Sequence, residues 1–343
     1  MTTTTIGILG TGSYLPAREV TNDEIEARVP GASAEWIRCR TDILARRYAA
    51  PGEDAADLAV HAGRAALDQA RVSPDNIRYV IVSTTTAEQP IPSIASRVQH
   101  ALGIGSAAAF DLNVACSGFV AGLAVADGLI GRCPDALALV IGTDVYTRFL
   151  DFDERSTSVL FGDAAGATVV GSVAAPDGFL RFELLSRGDA QDLIWTEYGS
   201  STLPSDIGTH AAQNVHSGHV LRMKGRNVTE FVLDSVPTVI ASLLKSCAVD
   251  AREVAHFVPH QANGPMVREL AETCGLGAAR THLLLDHTGN IGSASVPVAL
   301  DEANRSGDLK DGDLVLLAGF GAGMAVGAGL LRWPASRSGR GDG

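Results

Sequence analysis

The feature that most constrains this 343-residue chain is a likeness between its own two halves, at a fixed offset of 177 residues. Residues 67–86, LDQARVSPDNIRYVIVSTTT, read as a helix end, a polar turn and an apolar strand ending in polar residues. Residues 244–263, LKSCAVDAREVAHFVPHQAN, read the same way. The offset carries Cys116 onto Ser293, each at the start of a small-residue helix, and Gly142 of ALVIGTD onto Gly319 of VLLAGFG. One offset that aligns three separate features predicts two similar halves, 1–175 and 176–343, in one pseudo-symmetric body. Strand patterns alternate with helical ones, which is α/β architecture. In open α/β sheets, sites form beyond the carboxyl ends of strands. Here those ends carry Ser83, Cys116, His260 and the Gly289–Asn290 turn. Halves packed face to face bring Cys116, His260 and Asn290 together.

The stretch DLNVACSGFVAGL (111–123) places a cysteine at a strand-to-helix turn. Residues 110–114 read as a strand end, and Ser117 to Ile130 carries apolar residues at helical spacing. A helix N-terminus lowers a thiol pKa and favours thiolate, so Cys116 is expected to be ionisable. Two readings stand at this point: a nucleophile, or a small buried core residue.

Composition narrows the class. The net charge is −12, which argues against nucleic acid as a partner. Basic charge rests on 24 arginines and only Lys224, Lys245 and Lys310, so a docking patch for an acidic partner must be local. Five cysteines without a CxxC spacing point away from a disulfide framework or zinc site. No basic-then-apolar leader opens the chain, and no run of about 18 apolar residues is present, so a cytoplasmic protein that does not span a membrane is expected. GILGTG is not a dinucleotide fingerprint, because Leu15 occupies the third glycine position. The polar stretch Gly188–Ser217 is a candidate cover for a pocket, and the tail 335–343 is expected to be disordered.

ACSGF (115–119), VPHQAN (258–263), GNIGSASVP (289–297) and GFGAG (319–323), with GTGSYLP (10–16), EWIRCRT (35–41), FGDAAGA (161–167) and MKGRNV (223–228), run through the chain in one order. In these motifs the chain resembles β-ketoacyl-acyl-carrier-protein synthase III, a branch of the thiolase-like condensing enzymes. The resemblance implies a thiolase-like, five-layered αβαβα fold made of two pseudo-symmetric βαβαβαββ halves, the first carrying the nucleophile and the second the His and Asn.

It also implies roles. Cys116 would accept an acyl group from an acyl-coenzyme A. His260 and Asn290 would bind the carbonyl oxygen of a malonyl thioester and stabilise the enolate left by CO₂ loss. Backbone N–H groups of Cys116 and of the GFGAG loop, best matched at Ala322, would form an oxyanion hole. Trp36, Arg40 and Arg155 match positions that hold the adenine end of coenzyme A. Ile91 matches one that reaches across a homodimer and bounds the acyl pocket. Asn263 and Gly225 match substrate-side positions, Asn263 as a residue that orders its loop. Related thiolases carry a second cysteine in the C-terminal glycine-rich loop. Gly319–Met324 has none, which favours decarboxylation over deprotonation. No metal or resident cofactor is implied, the coenzyme A thioester being substrate.

The chain also departs from its relatives. Glu230, Pro265, Glu272 and Thr273 stand where Lys or Arg is common, and Thr229 replaces an aromatic. Asp42 replaces a usual glycine. An acyl carrier protein is therefore an atypical partner here, with Arg268 and Arg226 as candidates to restore positive charge. The expected activity is a decarboxylative Claisen condensation priming fatty-acid or polyketide synthesis in a pathway-specific setting. The alternatives are a non-decarboxylating acyl transfer to a hydroxyl or amine of a small molecule, and a catalytically silent partner subunit.

Overall fold

A computed structural model describes residues 4–196 and 220–334. The expected disorder of 335–343, and the part of the 188–217 stretch beyond 196, lie outside the described residues.

The first half opens with β1 (Thr4–Tyr14), then a small hairpin-like pair β2 (Arg18–Thr21) and β3 (Ala45–Tyr48) with helices α1 (Asn22–Glu26) and α2 (Ala34–Thr41) between them. There follow α3 (Ala55–Ala70), β4 (Ile77–Ser83), α4 (Ile94–Ala101), β5 (Ala108–Leu112), α5 (Gly118–Ile130), β6 (Leu137–Val145), α6 (Arg155–Ser158) and β7 (Asp163–Ala174). The second half runs β8 (Gly178–Ser186), β9 (Ile194–Thr196), β10 (Leu221–Met223), α7 (Gly225–Ser246), β11 (His256–Pro259), α8 (Gly264–Thr273), β12 (Arg280–Thr281), α9 (Leu285–Thr288), α10 (Ser295–Arg305), β13 (Leu314–Gly321) and β14 (Ala325–Arg332).

Two five-stranded sheets share one topology. The first is ordered β1-β7-β6-β4-β5 and the second β8-β14-β13-β11-β12. In each, the first two pairings are antiparallel and the last two parallel. The offset of 177 maps β4 and the turn before it onto β11 and its turn, and β6 onto β13. Even the left-handed residues that end α3 and α7, Arg71 and Ala248, correspond, each with φ of 54°.

The layers follow from the apolar faces. α5 and α10 form a central layer, and their Phe119, Leu123, Val296 and Leu300 are buried together with residues of both sheets, such as Val140 and Leu317. α3 and α4 cover the outer face of the first sheet through Leu58, Ala62 and Val98. α7 and α8 cover the second through Val236, Ile240 and Leu270, packed on Leu316 and Leu330. This is the thiolase-like αβαβα fold. Among the described helices, α7 alone has the length and apolar content to cross a membrane, and its apolar face is occupied by the second sheet.

One buried charge ties the cap region to the site. Arg46 on β3 is fully buried, donating from Nη1 to Asn22 Oδ1 at 2.8 Å and from Nη2 to the Val159 carbonyl at 2.6 Å. Burial without a carboxylate partner lowers its guanidinium to about 10. It fixes the segment 159–162, on which the second half's Asn290 rests.

Candidate active site

The strand ends meet at one cavity of about 240 Å³, walled by Cys116, His260 and Asn290 together with Tyr146, Phe161, Phe320, Gly321 and Ala322. Each residue arrives there for a local reason.

Cys116 sits in a single 3₁₀ turn, Ala115–Ser117, between β5 and α5. The strand ends at Leu112 and the helix starts at Gly118, close to the expected limits. Ala115 holds φ of 46°, a left-handed conformation that costs an L-residue roughly 1–2 kcal/mol. Its counterpart at the 177 offset is Gly292, with φ of 58°. A Cβ on Gly292 would meet the Tyr146 ring at 2.3 Å, so only glycine fits there.

Burial opposes the expected helix-end effect on the thiol. Cys116 is 9% exposed, and burial pushes its thiol up to about 12, with the Asp144 charge adding to the shift. A hydrogen bond from Tyr146 acts the other way. The sulfur lies inside the cavity wall and not at an open helix end, so desolvation works against the helix dipole.

His260 follows β11, is 2% exposed, and its backbone N–H donates to the Ala318 carbonyl at 2.7 Å. Nδ1 lies 3.1 Å from Ser295 Oγ, and the ring meets Phe320 edge-on at 5.2 Å. Burial lowers the imidazole to about 3, so the ring is neutral over the physiological range. Asn290 is held by the other half: its N–H donates to the Leu160 carbonyl at 2.9 Å, and Gly162 N–H donates to its own carbonyl at 3.0 Å. Its Oδ1 accepts from Gly292 N–H at 3.0 Å, which identifies the remaining amide atom as the donor Nδ2.

Gly321 closes the floor. A Cβ there would stand 3.0 Å from Cys116 Cβ and 3.1 Å from its sulfur. Ala322 lines the cavity beside it. The arrangement joins a thiol, a neutral imidazole and an amide around one space, with backbone donors at its edge. That set suits acyl transfer through a thioester, with charge developing on an oxygen.

The other residues singled out from sequence do not line this cavity. Trp36 and Arg40 stand one turn apart on α2, and the Arg155 guanidinium lies 4.8 Å from the Trp36 ring centroid while donating to the Gly31 carbonyl at 2.8 Å. Ile91 is 83% exposed. Asn263 caps α8, its side chain accepting from Met266 N–H at 2.9 Å, and Gly225 opens α7 between the cavity residues Met223 and Val228. Ile194, Trp195 and Thr196, from the polar stretch, line the cavity. Arg268 does not offer free positive charge. It is paired with Asp42 at 2.5 Å, because the left-handed end of α2 at Asp42 abuts α8.

Sequence reasoning missed the buried polar groups behind the site. Asp144 Oδ1 accepts from Thr85 N–H at 2.9 Å and from the hydroxyls of Thr84, Thr85 and Thr86. Its Oδ2 accepts from Ser293 N–H at 2.8 Å and Ser293 Oγ at 2.7 Å. The clue available was an acid directly following the apolar strand ALVIGT.

Comparison with known proteins agrees with this geometry. The family description 3-oxoacyl-[acyl-carrier-protein] synthase III matches residues 110–188, and its C-terminal counterpart matches 244–333. The acetoacetyl CoA synthase NphT7 of Streptomyces sp. (strain CL190) is 42% identical over 337 residues, covering 97% of this chain and all of that protein. The β-ketoacyl-[acyl-carrier-protein] synthase III of Rhodospirillum centenum is 41% identical, with 95% and 98% of the two chains covered. Among solved structures, the priming β-ketosynthase of the R1128 polyketide pathway superposes with a TM-score of 0.89 at 32% identity, covering 97% of each chain. The synthase III of Aquifex aeolicus gives 0.87 at 34%, covering 96% of this chain and all of the other. With relatives this similar over nearly its whole length, and with the two-sheet fold in hand, the chain belongs to the 3-oxoacyl-[acyl-carrier-protein] synthase III family of thiolase-like condensing acyltransferases.

Proposed function

We propose that this enzyme loads an acyl group from an acyl-coenzyme A onto Cys116 and condenses it with a malonyl thioester, with loss of CO₂. The observation that carries the reading is the convergence of Cys116, His260 and Asn290 on one buried cavity. The Cys116 sulfur attacks the thioester carbonyl, the oxyanion takes hydrogen bonds from the N–H groups of Cys116 and Ala322, and coenzyme A leaves with the thiol proton. The malonyl thioester then enters. Its carboxylate leaves as CO₂, and the C–C bond electrons pass into an enolate. In the tautomer in which the Ser295 hydroxyl donates to Nδ1, the His260 proton sits on Nε2, which together with Asn290 Nδ2 donates to that oxygen. The enolate carbon attacks the acyl group, and Cys116 leaves as thiolate.

The malonyl carrier is read as coenzyme A, in a specialised pathway. Arg268 is ion-paired with Asp42, Glu230 and Glu272 add negative charge on the helices α7 and α8, and Arg226 stands exposed on α7. A phosphopantetheine carrier protein is acidic and would meet like charge. The 42%-identical relative is itself named for making acetoacetyl CoA. The same mouth charges support the second reading, acyl transfer to a small acceptor without decarboxylation. Trp36, Arg40 and Arg155 are read as the contact for the adenine end of coenzyme A, supported by their clustering on α2 and α6. The halves are drawn at 1–175 and 176–343, and a cytoplasmic location goes with coenzyme A thioester substrates. A homodimer is read from the outer edge of β5, unpaired among the described strands, and from exposed Ile91.

Release of CO₂ from malonyl-coenzyme A by the acylated enzyme tests the reading. Condensation requires one CO₂ per β-ketoacyl product. Turnover of the acyl enzyme onto an added amine or alcohol, with malonate untouched, would select the second reading.

A further inference from the structure

We propose that Arg46 is a positioning residue for Asn290, and that it therefore serves the condensation step and not acyl loading. This rests on Asn290 holding the enolate oxygen. Arg46 is fully buried, yet each acceptor it reaches is neutral: Asn22 Oδ1 at 2.8 Å, the Val159 carbonyl at 2.6 Å and the Val20 carbonyl at 3.4 Å. A buried cation without a carboxylate is costly to a fold. What the guanidinium supplies in return is a rigid fork of directed donors. That fork joins the end of β2 and the start of α1 to Val159, the residue that caps α6. Asn22 is itself fixed, its Nδ2 donating to the Ile43 carbonyl at 2.7 Å.

Three distant segments of the chain meet at this side chain. Residues 160–162 run beside Asn290, and Phe161 and Asn290 form a parallel bridge. The Asn290 N–H donates to the Leu160 carbonyl at 2.9 Å, and the Gly162 N–H donates to the Asn290 carbonyl at 3.0 Å. Arg46 packs on both sides of that bridge. A Cβ on Gly162 would stand 3.2 Å from Arg46 Cβ, and one on Gly289 would stand 3.1 Å from it. Gly289 also turns with φ of 64°, and a Cβ there would meet the Leu160 carbonyl at 2.6 Å. The two segments lie against Arg46 because glycine puts no side chain between them. Next to Arg46, the Leu44 N–H donates to the Asp286 carbonyl at 2.8 Å and so holds α9, which leads into Gly289. The Asn290 backbone thus takes its place from Arg46 and 160–162, and its amide takes its orientation from the Gly292 N–H. The groups read as serving loading stand on other elements: Cys116 in the turn before α5, and Ala322 just after β13. A catalytic donor displaced by about 1 Å costs roughly a hundredfold in rate.

Arg46→Lys keeps the charge and the stem over the two glycines, and gives up the fork. Arg46→Met gives up the charge as well. Loading is read as stopped-flow release of coenzyme A, and condensation as CO₂ released from malonyl-coenzyme A by enzyme already acylated. Condensation should slow in kcat by about ten- to a hundredfold in both variants. Loading should keep its wild-type rate, which also shows that the variants fold. Placed in an Asn290→Ala background, Arg46→Lys should slow condensation no further, because the two residues act through one group. Where Arg46→Met does not fold, Arg46→Lys decides. Condensation at the wild-type rate in Arg46→Lys, equal losses in its two steps, or losses that multiply in the double variant would overturn the proposal. An Asn290→Ala enzyme that condenses as fast as wild type would instead remove the reading on which it rests.

Discussion

The Ser293 hydroxyl donates to Asp144 Oδ2 at 2.7 Å, so the residue that occupies in the second half the place of Cys116 in the first ties the two halves together. Both groups are buried. Removing a donor from a buried carboxylate leaves it under-satisfied, at a cost of about 1–3 kcal/mol. Ser293→Ala should lower unfolding stability by that amount in urea titration, while Cys116 still takes an acyl group. A variant as stable as wild type would show that this bond contributes nothing across the halves.

Ser295 offers a sharper separation of the two half-reactions. Its hydroxyl is the 3.1 Å partner of His260 Nδ1. Ser295→Ala frees the ring to adopt the wrong tautomer or orientation. Condensation should slow by about tenfold, the scale of one lost hydrogen bond. Loading of Cys116, measured by stopped-flow release of coenzyme A, should be unchanged. Equal loss in both steps would place Ser295 outside this role.

Acid should destabilise the fold through its buried imidazoles. His260 and His282 are lowered by burial to about 3 and about 4, against 6.5 when free. Below 6.5 the unfolded chain takes up protons that the folded state refuses. The contribution is therefore complete above 6.5 and is lost as the pH falls toward those folded values, at up to about 1.4 kcal/mol per unit for each group. Asp163, raised to about 6 by burial, works in the opposite sense. The readout is thus the difference between wild type and His260→Asn, which should shrink steadily from pH 6.5 to pH 4. A constant difference would mean that His260 is not held neutral.

Asp42 and Arg268 test the choice of carrier. Asp42→Asn keeps a residue that tolerates φ of 63° and releases the Arg268 charge on α8. Use of a malonyl-loaded acidic carrier protein should improve a few-fold in kcat/KM at low salt, with the gain fading as salt rises. Malonyl-coenzyme A should be used as before. No change with the carrier would dissociate this pair from docking.

Much of this architecture was legible because the 177 offset samples it at the strand ends. Ser83 and His260, Asn113 and Asn290, and Gly118 and Ser295 are paired by the same offset as Cys116 and Ser293. The offset fails after β13 because the first half inserts residues 146–162 where the second turns within a few residues into β14. That insertion carries Tyr146 and Phe161, and it supports Asn290. No periodicity in it announces a site, since its residues become neighbours only when the halves pack. The same is true of Asp144, whose partners come from two distant places in the chain, 84–86 and 293. The burial that opposes ionisation of Cys116 is not legible in sequence, where a helix start is visible and the depth of burial is not. Arg268 appeared free for the same reason: Asp42 is more than two hundred residues away from it in the chain.

The most direct test of the account is the mass of the Cys116 peptide, followed through one turnover. After incubation with a panel of short acyl-coenzyme A thioesters, the account predicts an acyl adduct on Cys116. Addition of malonyl-coenzyme A should then discharge it with release of one CO₂ and one β-ketoacyl thioester. An adduct on no residue, an adduct on a residue other than Cys116, or discharge that leaves malonate intact would contradict it.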